Sequence, residues 1–399
     1  MHKVASVTKK LVPQPTFGER ASMRGTGLGA AIIGAGFIGE VHSRAIRATG
    51  SNLVAVADGD LARSEAAAQR LGASLGVASA EELLRLSDVD VVHICTPNHL
   101  HAPLARMAIA AGKHVICEKP LATSRTDAEE LANRADSAGV VAAVPFIYRY
   151  YPTVQEARSR VEQGQTGPIR LIHGSYLQDW LSRPSDVNWR VDPSLGGPSR
   201  TFADIGVHWC DLIEHVTGQR IVSLSARLAT AMPTRNASEP EVAAERVTTE
   251  DAATLIFTTD GGATGALVAS QVTPGRKNRL WFSIDGAESS LVFDQEQPET
   301  LWVGGRDAVT ILMRGGEAMS PDANRLTILP AGHPQGYQDC FNGFVADVYS
   351  AVAGGQAHSA MPTFRDGVRA AVLTEAVLAS HACRGWVDVS VTSQSRQSA

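Results

Sequence analysis

The spacing of apolar positions changes once along the chain, near Tyr148. Before it, short near-continuous apolar runs alternate with amphipathic stretches. The runs are Ala30 to Ile33, LVAVAD ending at Asp58, VDVVHICTP, HVICEK and VVAAVPF. Between them lie a helical stretch to Thr49 that Gly50 can close, DLARSEAAAQRLG, AEELLRLSD, APLARMAIAAG and SRTDAEELANRADSAG, which opens with a Ser124–Asp127 capping pattern. A run that is apolar on every side suits a strand buried on both faces. Strand–helix alternation of this kind predicts a doubly wound parallel sheet. After Tyr148 the period falls to two in IRLIHGSYLQDW, and turn signals such as Asp260-Gly261-Gly262 separate paired runs. This half predicts an α+β domain with a large open, mainly antiparallel sheet and helices on one face. Residues 231–249, rich in Pro, Thr, Glu and Ala, read as a long loop. The expected division is a mobile tail at 1–25, a nucleotide-binding domain at 26–147, and a substrate-binding and oligomerisation domain at 148–399.

The first run leads into Gly34-Ala35-Gly36-Phe37-Ile38-Gly39, a GxGxxG between strand and helix. Its glycines suit a tight turn, close approach of pyrophosphate, and helix–strand packing, and Asp58 closes the next strand. This is the α/β Rossmann signature. The helix N-terminus offers free N–H groups to phosphate, and Asp58 can accept from ribose hydroxyls. A carboxylate there repels a 2′-phosphate, so NAD is the expected cofactor, with NADP kept possible by Arg63. Ligands meet such sheets at the carboxyl ends of the strands. That adds Thr96, Pro97, Asn98 and the nearby His101, and Glu118 and Lys119, to the cofactor candidates Gly34, Gly36, Phe37, Ile38, Gly39 and Asp58.

Composition removes other classes. The net charge is −5 over 399 residues, which argues against a basic nucleic-acid binder. No apolar run reaches the ~20 residues a membrane span needs. Residues 1–22 lack the apolar core of a secretory signal, and Met23 could be the true start. The five cysteines form no CxxC, so buried free thiols in a reducing, cytoplasmic setting are expected. His93, Cys95, His99, His101, His114 and Cys117 crowd together but fit no zinc spacing, so no metal is assigned.

Two segments carry chemistry. Glu118-Lys119-Pro120 puts an amine at a strand end, and proline biases the lysine toward extended backbone. In Ala203 to Gly218, Ile205, Trp209, Leu212, Ile213 and Val216 form an apolar helical stripe, and Asp204, His208, Asp211 and His215 form another. The second stripe reads either as a solvated face or as a carboxylate that raises the basicity of a neighbouring imidazole for proton transfer. Gln178, Trp180, Trp189 and Arg190 lie in loop-like stretches suited to stacking on sugar faces and binding hydroxyls. Tyr337, Phe341, Phe344 and Val348 read as a packing stripe, with His333 in a loop near the site.

EKP after the nucleotide-binding half, FIYRYYP, NWR and DIGVHWCDL together resemble the Gfo/Idh/MocA oxidoreductases, over nearly the whole chain after Gly29. TPNHLHAP, YLQDW and AGHPQGYQD look closer to that family's sugar-oxidising branch. The resemblance implies a catalytic set of Lys119, Asp204 and His208, a substrate contact at Tyr148, and a cis Lys119–Pro120 bond. It implies reversible hydride transfer between a sugar or polyol carbinol and nicotinamide. His208 would be the base, Asp204 would orient it or share the relay, and Lys119 would polarise the oxygen. Ile147 stands where the family motif often has asparagine. A hydrolase or lyase that uses bound NAD for transient oxidation and an NAD-sensing regulator are the alternatives; the intact trio disfavours the regulator. An open apolar sheet face needs cover, so a homo-oligomer, dimer or tetramer, is expected.

Overall fold

The computed structural model describes residues 27–235 and 245–389. The expected tail at 1–25 and the middle of the expected loop at 231–249 lie outside them. The first sheet comprises β1 (Gly29–Ile33), β2 (Asn52–Ala57), β3 (Leu75–Val77), β4 (Val91–Ile94), β5 (His114–Cys117) and β6 (Ala142–Ala143). Its order is β3-β2-β1-β4-β5-β6, parallel throughout. β1 and β4 are buried along their whole length, as their uninterrupted apolar runs require. β3 has three residues, too few to leave a period in the sequence.

Among the described residues the second sheet has nine strands. In chain order they are β7 (Ile169–Leu177), β8 (Ile221–Ala229), β11 (Ala252–Thr259), β12 (Thr264–Ser270), β13 (Arg279–Gly286), β14 (Ser289–Asp294), β15 (Thr300–Gly305), β16 (Val309–Met313) and β17 (Trp386–Asp388). A separate antiparallel pair, β9 (Thr234–Arg235) and β10 (Glu245–Arg246), lies within the segment 231–249 expected to be a loop. The order is β16-β15-β14-β13-β7-β12-β11-β8-β17, antiparallel except where β7 meets β12. Alternation sends Ile172, Tyr176, Leu255, Phe257, Phe282 and Phe293 into the core. It leaves Leu171, Ile256, Val268, Trp302 and Ile311 exposed on the other face.

The helix Val207–Thr217 lies on the inner face of this sheet. Gly174 makes the room, since a Cβ there would stand 2.6 Å from the Trp209 indole nitrogen. That nitrogen donates to the Trp281 carbonyl at 2.9 Å. Two late helices return to the first half: Tyr337–Val352 packs on Phe37–Ala48, and Phe364–Cys383 packs on Arg125–Ala138 and β8. Within the second half Arg149 ties two helices together, its Nε donating to Asp211 at 2.8 Å and its Nη2 to Asp366 at 2.7 Å, all three side chains nearly buried. Cys95, Cys117, Cys210 and Cys340 are buried free thiols and Cys383 is exposed. No helix among the described residues is long and apolar enough to cross a membrane.

Candidate active site

A groove of about 820 Å³ runs along the carboxyl ends of β1, β2 and β4. Gly34, Gly36, Phe37, Ile38, Asp58, Arg63, Thr96 and Pro97 line it, as do Trp189 and Arg190 from the second half. Gly34 holds φ +93, and a Cβ on it would sit 2.8 Å from the Cys95 carbonyl carbon. A Cβ on Gly39 would lie 2.4 Å from the Gly34 oxygen, so Gly39 serves helix–strand packing and does not line the groove. Gly36 caps the helix Phe37–Ala48 and would point a Cβ into open space. The Asp58 Oδ1 accepts the Ala35 N–H at 3.2 Å and its Oδ2 the Arg63 guanidinium at 3.1 Å. The Thr96 hydroxyl is buried beside the groove without a partner among the described residues. An open glycine turn at a helix N-terminus, a carboxylate at the second strand end and an orphaned hydroxyl fit a dinucleotide.

Three cofactor candidates lie elsewhere. Asn98 is buried and donates to the Gly196 carbonyl at 2.8 Å, tying the two halves together. His101 is buried with its ring nitrogens 2.7 Å from the Pro120 oxygen and 2.8 Å from the Thr96 oxygen, bracing the strand ends from behind. Glu118 turns inward to His42, 3.1 Å away. Burial pushes its carboxyl up, but His42, Lys119 and His101 together hold it below the usual range.

A second pocket, about 270 Å³, is lined by Phe37, Lys119, Tyr148, Tyr176, Gln178, Asp204, Ile205, His208, Asn278 and Tyr337. Phe37 lines both cavities, so the groove's inner end meets this pocket. The Lys119–Pro120 bond is cis, as the resemblance implied. Lys119 Nζ donates to the Asp204 carboxylate at 2.6 Å and to its carbonyl at 3.0 Å. Asp204 belongs to one turn of π-helix, Phe202–Gly206, that opens the helix start. Such turns often mark functional sites. Gln271 donates to its other oxygen at 2.7 Å, and Arg190 Nε lies 3.5 Å away. Burial pushes the Asp204 carboxyl up, but Lys119 and Arg190 outweigh it and hold it far below the usual range.

His208 sits one residue before the anchored Trp209. Its ring meets Phe146 and Tyr148 edge to face, with centroids 5.6 and 5.1 Å away. Nδ1 is buried without a partner among the described residues. Burial first, then Lys119, holds its basicity well below the ordinary range, and the opposing pull of Asp204 is smaller. Asp204 thus raises the basicity of the imidazole as expected but is outweighed: the carboxylate is committed to Lys119 and Gln271, and desolvation decides the histidine. Asp211 and His215 are no solvated face either. Asp211 takes Arg149, and His215 lies 3.2 Å from both Gln155 and Arg158.

Of the substrate candidates, Tyr148 and Gln178 line the pocket and Trp189 and Arg190 line the groove. Trp180 lines neither. Its indole N–H donates to Gln178 at 2.8 Å, and Gln178 donates to Asn278 at 2.8 Å. Tyr176 donates to the same Asn278 oxygen at 2.7 Å and meets the Tyr148 hydroxyl. Burial pushes Tyr148 up to about 12, so it stays protonated. Tyr176, Gln271, Asn278 and Tyr337 escaped the sequence reading. Strand alternation could have flagged Tyr176, whereas Tyr337 was assigned to packing. His333 is exposed and lines neither cavity.

Two family profiles match: residues 28–146 fit the oxidoreductase family with an NAD-binding Rossmann fold, and residues 154–292 fit the GFO/IDH/MocA C-terminal domain. The chain belongs to the Gfo/Idh/MocA oxidoreductase family. It is therefore an oxidoreductase whose first half is the family's NAD-binding domain. Levoglucosan dehydrogenase of Pseudarthrobacter phenanthrenivorans is 30% identical over 397 residues, covering 91% of this chain and 98% of its own. Among solved Gfo/Idh/MocA-like structures, an oxidoreductase domain protein from Kribbella flavida superposes with TM-score 0.86 at 33% identity, covering 92% of this chain and 100% of that one. Levoglucosan dehydrogenase in complex with NADH and levoglucosan gives TM-score 0.84 at 31% identity, covering 91% and 99%.

Proposed function

We propose that this enzyme oxidises a hydroxyl of a small neutral sugar or polyol to a ketone, with NAD as the hydride acceptor. One observation carries the reading: Lys119, Asp204 and His208 open onto one pocket that shares Phe37 with the dinucleotide groove. At about 270 Å³ the pocket falls below the range of about 300–1,000 Å³ for drug-sized ligands, which suits a single sugar ring. Its charged liners, Lys119 and Asp204, neutralise each other, and phenols and amides make up most of the remaining polar surface. That lining suits uncharged hydroxyls. The relative named levoglucosan dehydrogenase, matched along nearly its full length, supports the sugar class.

Bound NAD would supply the hydride acceptor; the groove glycines, Asp58, Thr96 and Pro97 would hold it. His208, kept neutral by burial, takes the hydroxyl proton. Lys119 donates to the reacting oxygen as negative charge develops there. Asp204 stays ionised and fixes the amine; it takes no part in a proton relay. Tyr148, Tyr176, Asn278 and Gln178 orient the remaining hydroxyls, with Trp180 locking Gln178.

The test is a panel of sugars and polyols with NAD and with NADP, followed by cofactor absorbance. Accumulating NADH on a neutral sugar supports the reading. Bond cleavage without net NADH would move the enzyme to the class that oxidises its substrate only transiently. The exposed apolar face of the second sheet also supports a homo-oligomer, and a monomeric mass by light scattering would refute that.

A further inference from the structure

Four buried polar side chains that the proposed chemistry does not use run in a line behind the EKP turn. His42, His93 and Tyr349 are 0% exposed and Glu118 is 6% exposed. Glu118 Oε1 lies 3.1 Å from His42 Nε2, His42 Nδ1 lies 2.8 Å from His93 Nδ1, and His93 Nε2 lies 2.8 Å from the Tyr349 hydroxyl. Glu118 Oε2 accepts the Lys119 backbone N–H at 3.1 Å. The line starts on the helix Tyr337–Val352 and ends at the peptide that bears the amine. That helix also gives Tyr337 to the substrate pocket.

Proton counting, with burial keeping the His93 ring neutral, limits the line to two arrangements. An ionised carboxylate only accepts, so His42 carries hydrogen on Nε2. With both rings neutral, His93 Nδ1–H donates to the bare Nδ1 of His42, and Tyr349 donates to His93 Nε2. With His42 as imidazolium, those two outer links reverse, and His93 Nε2–H donates to the tyrosine oxygen. Both satisfy every contact, and both give Glu118 the His42 Nε2–H. The neutral tautomer with hydrogen on Nδ1 would press a bare nitrogen against the carboxylate.

We propose that His42, His93 and Tyr349 are positioning residues: they clamp Glu118, and through it the Lys119 peptide, in one frame with the Tyr337 wall of the pocket. The inference rests on the dehydrogenase reading. Reacting groups need placement within a fraction of an ångström, and residues behind them supply it. The glycine turn and Asp58 lie outside the line, so cofactor affinity should not depend on it.

The experiment compares His42→Leu, His42→Gln and Tyr349→Phe with wild type in kcat, KM, NAD Kd and melting temperature. His42→Leu is expected to lower kcat about tenfold with NAD Kd unchanged within about twofold, a loss on the scale of one hydrogen bond to a charged group. His42→Gln offers an acceptor to His93 and a donor to Glu118, and should recover most of that loss. Tyr349→Phe should cost a smaller factor. Melting temperatures that fall while kcat stays at the wild-type value would make the line mere packing and overturn the proposal. A second readout needs no turnover: ¹⁵N NMR of the histidine rings should find hydrogen on His42 Nε2. Finding the neutral ring with hydrogen on Nδ1 overturns the proposal. If wild type oxidises no sugar in the panel, the dehydrogenase reading fails on its own, and the line is judged by the tautomer.

Discussion

Replacing Asp204 with asparagine keeps the side-chain shape and removes one charge from the centre of the site. In the native arrangement one carboxylate oxygen holds Lys119 at 2.6 Å and the other accepts from Gln271 at 2.7 Å. An amide can accept on one side only, so its NH₂ group must face either the ammonium or the Gln271 amide, donor against donor. The loss is one charge-assisted hydrogen bond in a nearly buried setting, about 1.5–3 kcal/mol. If the full effect falls on the transition state, that is about 10- to 150-fold in kcat. The same substitution removes the group that raises the basicity of His208, so the acid limb of the rate profile should move to lower pH. The assay is steady-state turnover across pH on the best sugar of the panel, with NAD affinity measured separately by fluorescence. Wild-type kcat in Asp204→Asn would refute the clamp. An acid limb that moved upward instead would show that Asp204 does not support the protonated imidazole.

Two further outcomes follow from the same geometry. In the proposed mechanism His208 acts as the neutral ring, and burial followed by Lys119 pulls its basicity well below 6.5; activity should therefore persist below pH 6 and fall only at lower pH. An acid limb of kcat/KM at or above 6.5, or turnover in His208→Ala that is not reduced by about 10²–10⁴-fold, would contradict the base assignment. Arg149→Met should leave the Asp211 and Asp366 carboxylates facing each other uncompensated, at a cost of about 3–5 kcal/mol in urea unfolding, and a loss below 1 kcal/mol would refute that reading.

The nucleotide-binding half was legible because buried parallel strands and the glycine turn each leave a short local pattern. Ala30 to Ile33, the GxGxxG and Asp58 fall where the groove needs them. β3 left no such pattern because three residues make no period. Helical spacing found Asp204 and His208 but could not tell which group each would face. The partners of Asp204, Lys119 and Gln271, are 85 and 67 residues from it, and such distances are settled by tertiary packing. Trp180 shows the opposite failure: its residue type suggested stacking, yet its indole N–H is spent on Gln178. Tyr337 reads as packing in the sequence because its helix stripe continues into buried Phe341 and Phe344; its place at the helix start brings it to the pocket.

Both poles of the site depend on separating two groups that lie one helical turn apart. Had Asp204 paired with His208, the imidazole would hold its proton more tightly and be charged over more of the working range, a poor acceptor for a hydroxyl proton. Pairing the carboxylate with Lys119 instead holds the amine where the proposed mechanism needs it and leaves the histidine governed by desolvation. The π-turn at Phe202–Gly206 departs from regular α spacing at Asp204, and Gln271 holds the carboxylate from the far side. Acid and base functions are thus divided by geometry. In the proposed mechanism the base is the buried His208 ring, and the electrophilic aid is the Lys119 amine that the Asp204 carboxylate holds.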